Sequence, residues 1–303
     1  MRCARHNSLD SDRPATSAAR CLRRSLVGRA DLHVHSSASD GLCPPREVVR
    51  RAYGVGLDAL ALTDHDTLAG LAEAAREARS LGIDFLAGCE ISIVDAELDV
   101  HLLAYAVDPD AAQLNSLLKA IHQGRVGRVR EMVRRLRAAG AGVTFEQVVH
   151  QAAGSYSIGR MHVARALVAG GFSPSIEMAF ARWIGNSGEV YVPKRTPGAS
   201  EALAAVRAAG GVAVLAHPGL YGIDTAEARF AEWDVDGIEV YHPAHREADL
   251  RRLLDWAERR ECVVTGGSDW HGDEHPAGYI GSVSVAAEVV AQLRARAARR
   301  ERA

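Results

Sequence analysis

Apolar and polar positions alternate along Asp31-Leu32-His33-Val34-His35, the period-2 pattern of a strand. That pattern puts His33 and His35 on the same side. Pro44-Pro45-Arg46-Glu47 then opens a helix, with Pro tolerated in its first turn, that runs to about Tyr53 and stops at Gly54-Val55-Gly56. A short apolar run, 58–63, reads as a buried strand ending in Thr63-Asp64-His65-Asp66. Thr67 is placed to cap a helix over 68–81, closed by Gly82, and 83–90 reads as a third strand ending at Glu90. Strand–helix–strand–helix–strand is the rhythm of parallel α/β architecture, where functional groups collect at the carboxyl ends of strands.

Residues 97–107 predict a fourth strand, carrying His101. From 110 to about 188 the strand pattern disappears, and helical patterns cover 111–139, 145–153, 161–169 and 175–184. This reads as a helical insertion at 109–188, set into an α/β unit made of 30–108 and 189–303. The α/β rhythm resumes with a helix at 200–209 and a strand at 212–216 ending in His217-Pro218. A strand at 237–241 leads into His242-Pro-Ala-His245 and a helix to Arg260. The strand 262–268 ends in Ser268-Asp269-Trp270-His271, and a helix over 286–300 closes the chain.

With 303 residues, 48% hydrophobic and 24% charged, the chain has the composition of an ordinary globular protein. A net charge of −2 argues against a broad basic face for long duplex nucleic acid, and leaves room for a local phosphate or short-oligonucleotide pocket. Five scattered cysteines without a Cys-x-x-Cys spacing argue against a disulfide framework or zinc ribbon and suit a reducing cytoplasm. No apolar run is long enough to span a membrane. Residues 1–29, rich in Arg and Ser without an apolar stripe, read as a disordered tail and not a secretory signal.

The strand-end residues are His33, His35, Asp40, His65, Glu90, His101, His217, Asp269 and His271. Nine such groups exceed what one tetrahedral or five-coordinate ion can use, so the set implies two or three ions with a carboxylate such as Glu90 between them. Imidazole and carboxylate without thiolate suit Mn²⁺, Fe²⁺ or Zn²⁺. Such a cluster activates water and clamps the oxygens of an in-line displacement, which makes a phosphate ester its natural substrate.

The motifs Asp31-Leu-His-Val-His35, Ser39-Asp-Gly41, Thr63-Asp-His-Asp66, Gly88-Cys-Glu-Ile91, Leu215-Ala-His-Pro218 and Ser268-Asp-Trp-His271 together resemble the PHP (polymerase and histidinol phosphatase) family, in order, from about Ala30 to Tyr279. The resemblance implies a distorted (β/α)₇ barrel with a trinuclear metal centre, Mn²⁺ foremost. It assigns His33, His35, Glu90 and Asp269 to one ion, Glu90, His101 and His217 to a second, and Asp40, His65 and His271 to a third. Periodicity alone would leave His101 a core histidine. Asp40, the short gap from Glu90 to His101 and the insert before His217 look most like the branch of 3′,5′-nucleotide bisphosphate phosphatases and 5′-to-3′ exoribonucleases. The substrate implied is a nucleotide or short oligonucleotide. The rivals are a histidinol-phosphate-type phosphatase and a catalytically silent metal-binding module. One departure from that branch is Met161, where relatives commonly have Pro.

Around this set, Arg160 and His162 open a helix, and a helix N-terminus with Arg is a good phosphate seat. His245 is a candidate proton donor to the leaving alkoxide or a phosphate ligand. Lys194-Arg195 is a candidate for a second phosphate, weighed against a solvated loop. The run Arg125, Arg128, Arg130, Arg134, Arg135, Arg137 reads mostly as a helix's wet face, Asp66 as a helix-dipole residue and Asp64 as a partner that orients a ligand.

Overall fold

The computed structural model describes residues 28–96, 98–152, 155–194, 196–272, 278–300 and 302. The tail reading of 1–29 falls outside the described residues except at Gly28 and Arg29, and Arg29 already belongs to the first strand. Arg195 also lies outside them.

Strands β1 (Arg29–Asp31), β2 (Ala59–Leu62), β3 (Asp84–Asp95), β4 (Leu98–Tyr105), β5 (Val212–Leu215), β6 (Gly237–Tyr241), β7 (Val263–Gly266) and β8 (Val285–Ala286) form one sheet in the order β7-β6-β5-β4-β3-β2-β1-β8. Most neighbours pair in parallel; β4 runs antiparallel to both β3 and β5, and β8 antiparallel to β1. The sheet curls so that its ends nearly meet. Leu32 N donates to Gly266 O (3.3 Å), Asp269 N to His33 O (2.8 Å) and His35 N to Trp270 O (2.9 Å). That close approach requires glycine at 267, where a Cβ would collide with the His33 backbone nitrogen. The result is a distorted α/β barrel of seven strands, with β8 added at the foot of the seam.

Helices α1 (Pro45–Gly54) and α2 (Leu71–Leu81) follow β1 and β2; α7 (Ala199–Ala208) precedes β5. Helices α8 (Ile223–Phe230), α9 (Glu247–Arg259) and α10 (Glu288–Arg300) complete the wall. Between β4 and α7 lie α3 (Ala112–Ala138), α4 (Phe145–Gln151), α5 (Arg160–Ala169) and α6 (Ile176–Ala179), the last running into a π-type turn, Phe180–Ile184. This helical stretch has an apolar cluster of its own, built on Met132, Leu136, Val163, Leu167 and Trp183. The barrel's apolar residues fall into three other clusters. Among the described residues no helix is long and apolar enough to cross a membrane.

The structure corrects several boundaries. β1 ends at Asp31, so His33 and His35 lie on the extended segment beyond it, where Val34 bridges Trp270. β3 does not stop at Glu90 but runs to Asp95, because its upper half pairs with β4 as a hairpin. Helix α2 starts at Leu71, and Thr67 Oγ1 accepts from Ala69 N within the preceding turn instead of capping it. The short helix α8 and a 3₁₀ turn at Pro218–Tyr221 carry too few periodic positions to be legible.

The seam is pinned by Asp31. Its buried carboxylate accepts from Ser268 N (2.9 Å), Ser268 Oγ (2.6 Å), Gly281 N (2.8 Å) and His33 N (3.3 Å). Burial pushes its pKa up to about 6 in spite of these donors. Asp31→Ala strands several buried donors, each worth roughly 1–3 kcal/mol. It should lower unfolding stability by at least about 3 kcal/mol, read as a reduced denaturant midpoint; an unchanged midpoint would remove Asp31 as the pin.

Candidate metal centre

One rim of the barrel gathers all nine strand-end side chains. Glu90 is at its centre, almost fully buried in the middle of β3. Its Oε2 lies 3.3 Å from His33 Nε2, 3.2 Å from His35 Nε2 and 3.0 Å from His65 Nδ1. Its Oε1 lies 2.7 Å from His101 Nδ1 and 3.0 Å from His217 Nε2. Asp269 Oδ1 is 3.3 Å from His33 Nε2 and 3.2 Å from His35 Nε2. Asp40 Oδ1 stands 3.4 Å from His271 Nε2 and 4.0 Å from His35 Nδ1, and its Oδ2 is 4.0 Å from His65 Nε2.

His101 reaches this rim because β4 is reversed. It pairs with Ser92, and its carbonyl accepts from Ala216 N at the carboxyl end of β5, so the amino-terminal half of β4 is level with its neighbours' carboxyl ends. His217 (φ 30°) and Asp269 (φ 50°) both take left-handed backbone, which turns their side chains off the ends of β5 and β7.

The donor set fits divalent cations. Among the described residues, His33 Nε2, both nitrogens of His35, Asp40 Oδ1, His65 Nδ1, Glu90 Oε2, His101 Nδ1 and Asp269 Oδ1 are buried without a hydrogen-bond partner. So many orphaned atoms would be costly in a core, and here they converge. Two ligands about 2.1 Å from a tetrahedral ion stand roughly 3.4 Å apart, which is the spacing found. Ligand atoms within 4.8 Å of one another form the sets His33/His35/Glu90/Asp269, His35/Asp40/His65/His271, His65/Glu90/His101 and, with two residues outside the expected nine, His33/Glu239/His242. Several rings have their second nitrogen occupied by protein: His33 Nδ1 by Glu239 Oε1 (2.9 Å), His271 Nδ1 by Asp269 O (2.8 Å) and His217 Nδ1 by the Tyr221 hydroxyl (3.2 Å). This fixes which nitrogen faces the rim.

Burial opposes ionisation of the Glu90 carboxyl, but His65, His101 and His33 outweigh it and hold the group well below the usual range. Asp269 and Asp40 are likewise held low against burial, Asp269 by His33 and His271, Asp40 by His65 and His271. Burial would lower His35, yet Asp269 and Glu90 push it up to about 10, whereas burial leaves His101 at about 4. The cation-free rim therefore holds a proton on His35 at neutral pH. A divalent cation has to displace it, so affinity should rise about tenfold per pH unit for each proton released, between pH 6 and 8. Titration calorimetry in buffers of different ionisation enthalpy checks this; pH-independent affinity without proton release would contradict it.

Beside the rim opens a cleft of about 270 Å³, whose lining includes the rim residues Asp40, His65, His101 and His217 and the basic residues Arg125, Arg128, Arg160 and Lys194. Met161, Phe180, Leu220 and Tyr221 supply its apolar wall. The Lys194 side chain is only 9% exposed, not a solvated loop residue; its Nζ lies 3.8 Å from Asp99 Oδ2 and 3.5 Å from His101 Nε2. Burial and Arg125 bring its pKa down to about 8. Arg160 Nη1 donates to Asn186 Oδ1 (2.8 Å), and its Nη2 is 3.6 Å from Asp99 Oδ2. Arg128 Nε donates to Val192 O (2.7 Å), while its buried Nη2 has no hydrogen-bond partner among the described residues.

Other expected roles are corrected. Both nitrogens of His245 are taken by backbone: Nδ1 donates to Val240 O (2.7 Å) and Nε2 accepts from Gly219 N (3.0 Å). It clamps the 3₁₀ turn to β6 and has no free nitrogen for a leaving group. His162 Nδ1 accepts from Gly159 N (3.1 Å), capping α5, and the ring does not line the cleft. Arg125 and Arg128 are not on a wet face. Arg125 pairs with buried Asp66 and donates to Ser92 Oγ (2.9 Å), so Asp66 ties α3 to β3 instead of serving a helix dipole. Asp64 accepts from Ser36 and Ser39, organising the loop that ends in Asp40. Sequence reading missed Glu239, Tyr221 and His242, whose Nε2 is 3.4 Å from Asp269 Oδ2. The His-Pro-Ala-His spacing was a signal for His242; a lone Glu within a strand and a lone Tyr gave none.

Comparison with known proteins places this geometry. Residues 31–185 match the family model described as the PHP domain. The chain is 35% identical over 250 residues to a 3′,5′-nucleoside bisphosphate phosphatase of Chromobacterium violaceum, covering 81% of this chain and 88% of that protein. It is 33% identical over 260 residues to a 5′-3′ exoribonuclease of Haemophilus influenzae, covering 84% and 93%. A crystal structure from Bifidobacterium adolescentis, described as a metal-dependent phosphoesterase, superposes with a TM-score of 0.80 at 35% identity, over 90% of this chain and 97% of that one.

Proposed function

The chain belongs to the PHP family, and from that premise we propose that it removes the 3′-phosphate of nucleoside 3′,5′-bisphosphates, cleaves short 5′-phosphorylated RNA, or does both. At the coarser level it is a metal-dependent phosphoric ester hydrolase. The observation that carries the finer reading is the shared cleft: a rim suited to cations and a wall of four basic side chains open into one cavity. A substrate with two phosphates has a place for each.

In this reading His33, His35, Glu90 and Asp269 hold one ion, Glu90, His101 and His217 a second, and Asp40, His65 and His271 a third, with Mn²⁺ the first choice. When bound, such ions polarise phosphoryl oxygens and lower the pKa of water. The chain's own side chains do the rest. Arg160, Lys194 and the unpaired Nη2 of Arg128 seat the remote phosphate through charge-assisted hydrogen bonds. Phe180, Leu220 and Met161 exclude water beside the nucleoside. The nucleic acid accepted is a nucleotide or short oligonucleotide, because the cleft is small and the net charge is −2.

The test is a panel assayed with Mn²⁺-loaded protein: a nucleoside 3′,5′-bisphosphate, a 5′-phosphorylated oligoribonucleotide, histidinol phosphate and a plain phosphate monoester. Turnover of the first two should exceed that of the plain monoester about 10- to 100-fold in kcat/KM, the worth of one or two charge-assisted contacts. Turnover of the amino-alcohol phosphate alone would reject the reading.

A further inference from the structure

We propose that Glu239 is a positioning residue that fixes two of the cation-facing histidines, His33 and His217, with its two carboxylate oxygens. The proposal rests on the reading that those histidines hold cations. Glu239 is in the middle of β6, fully buried, and belongs to no set that the sequence pattern assigns. Its Oε1 lies 2.9 Å from His33 Nδ1 and its Oε2 accepts from the backbone N–H of His217 at 2.8 Å.

Each bond has a consequence at the rim. Accepting from Nδ1 keeps the His33 proton on that nitrogen and turns Nε2 toward Glu90 and Asp269, 3.3 Å from each. His217 has left β5 in a left-handed conformation (φ 30°, ψ 55°), which is unfavourable for a residue with a Cβ. Its N–H points into the barrel, and Glu239 satisfies it there. The turn so held aims His217 Nε2 at Glu90 Oε1. The pairing of β6 with β7 shifts register between Glu239 and Tyr241, the kind of irregularity that re-aims side chains beside a site. One carboxylate thus ties a residue beyond β1 to a residue beyond β5, whose rings meet different oxygens of Glu90. Neighbouring His242 leaves this bond pattern alone: its Nδ1 accepts from Ala244 N and its Nε2 faces Asp269.

Glu239→Gln is the test. An amide has one acceptor oxygen and one donor nitrogen, so only one of the two N–H groups keeps its partner. The variant should keep the wild-type circular dichroism and bind Mn²⁺ about 10- to 100-fold more weakly, measured by competition with a chelating dye. Wild-type affinity in Glu239→Gln overturns the proposal while leaving the metal centre standing. A wild-type chain that binds no cation overturns both. Should the variant fail to fold, ¹⁵N-histidine spectra of the zinc-loaded wild type decide, with His33 assigned from His33→Gln. A proton on Nδ1 and a metal-shifted Nε2 support the proposal, and metal on Nδ1 overturns it.

Discussion

Replacing Glu90 with Gln should cut kcat/KM by about 10³ or more, equivalent to roughly 4 kcal/mol of transition-state stabilisation, while the barrel stays folded. Five imidazole nitrogens lie within 3.3 Å of its two oxygens. An amide retains one of those oxygens and turns an N–H₂ toward ring nitrogens that a cation would share. It also removes the negative charge that faces His33, His35 and His65 through Oε2 and His101 and His217 through Oε1. The backbone has no reason to move, because Glu90 N still donates to Thr63 O and β3 keeps its pairing with β2 and β4. Steady-state assays beside circular dichroism and elemental analysis check this. Turnover within tenfold of wild type would show that the rim is not where the chemistry happens.

Lys194→Ala and Arg160→Ala should act on a different step. Each removes a cation from the basic part of the cleft lining, and each should raise KM for a nucleoside bisphosphate about 10- to 100-fold while changing KM for a plain monoester less than about threefold. The difference follows from geometry: both cations flank Asp99, and neither belongs to a set of converging imidazoles and carboxylates. Lys194 has a second reason to be sensitive, since it is buried beside Arg125 and gains most from an incoming anion. Equal losses on both substrates would assign these residues to the chemistry or to the fold instead of the second phosphate.

How much of this was legible depended on how local each signal was. His33 and His35 sit in a period-2 alternation and His65, His217, Asp269 and His271 follow short apolar runs, so each can be read within a few positions. His101 could not be read that way, because the reversal of β4 puts the useful end of that strand at its amino terminus. Glu90 was legible as a site residue and misread as a strand end, since nothing in the run marks where the barrel stops and the hairpin continues. The cleft's basic wall was hidden for a similar reason. Arg125 and Arg128 belong to a helix whose other arginines include the exposed Arg130, Arg134 and Arg137, and only the packing of α3 on β3 turns two of them inward. His245 erred in the opposite direction: a histidine after a strand looks chemical until both nitrogens are found on backbone partners 26 and 5 residues away.

The most direct measurement is activity on a nucleoside 3′,5′-bisphosphate as metal-stripped protein is titrated with Mn²⁺, with bound metal counted on the same samples. The three groups of converging ligands assigned to ions, two of which share Glu90, should give no turnover without metal and a plateau only after two to three ions per chain. Full activity in the stripped protein, or a plateau below one ion per chain, would contradict a multi-cation centre at this rim.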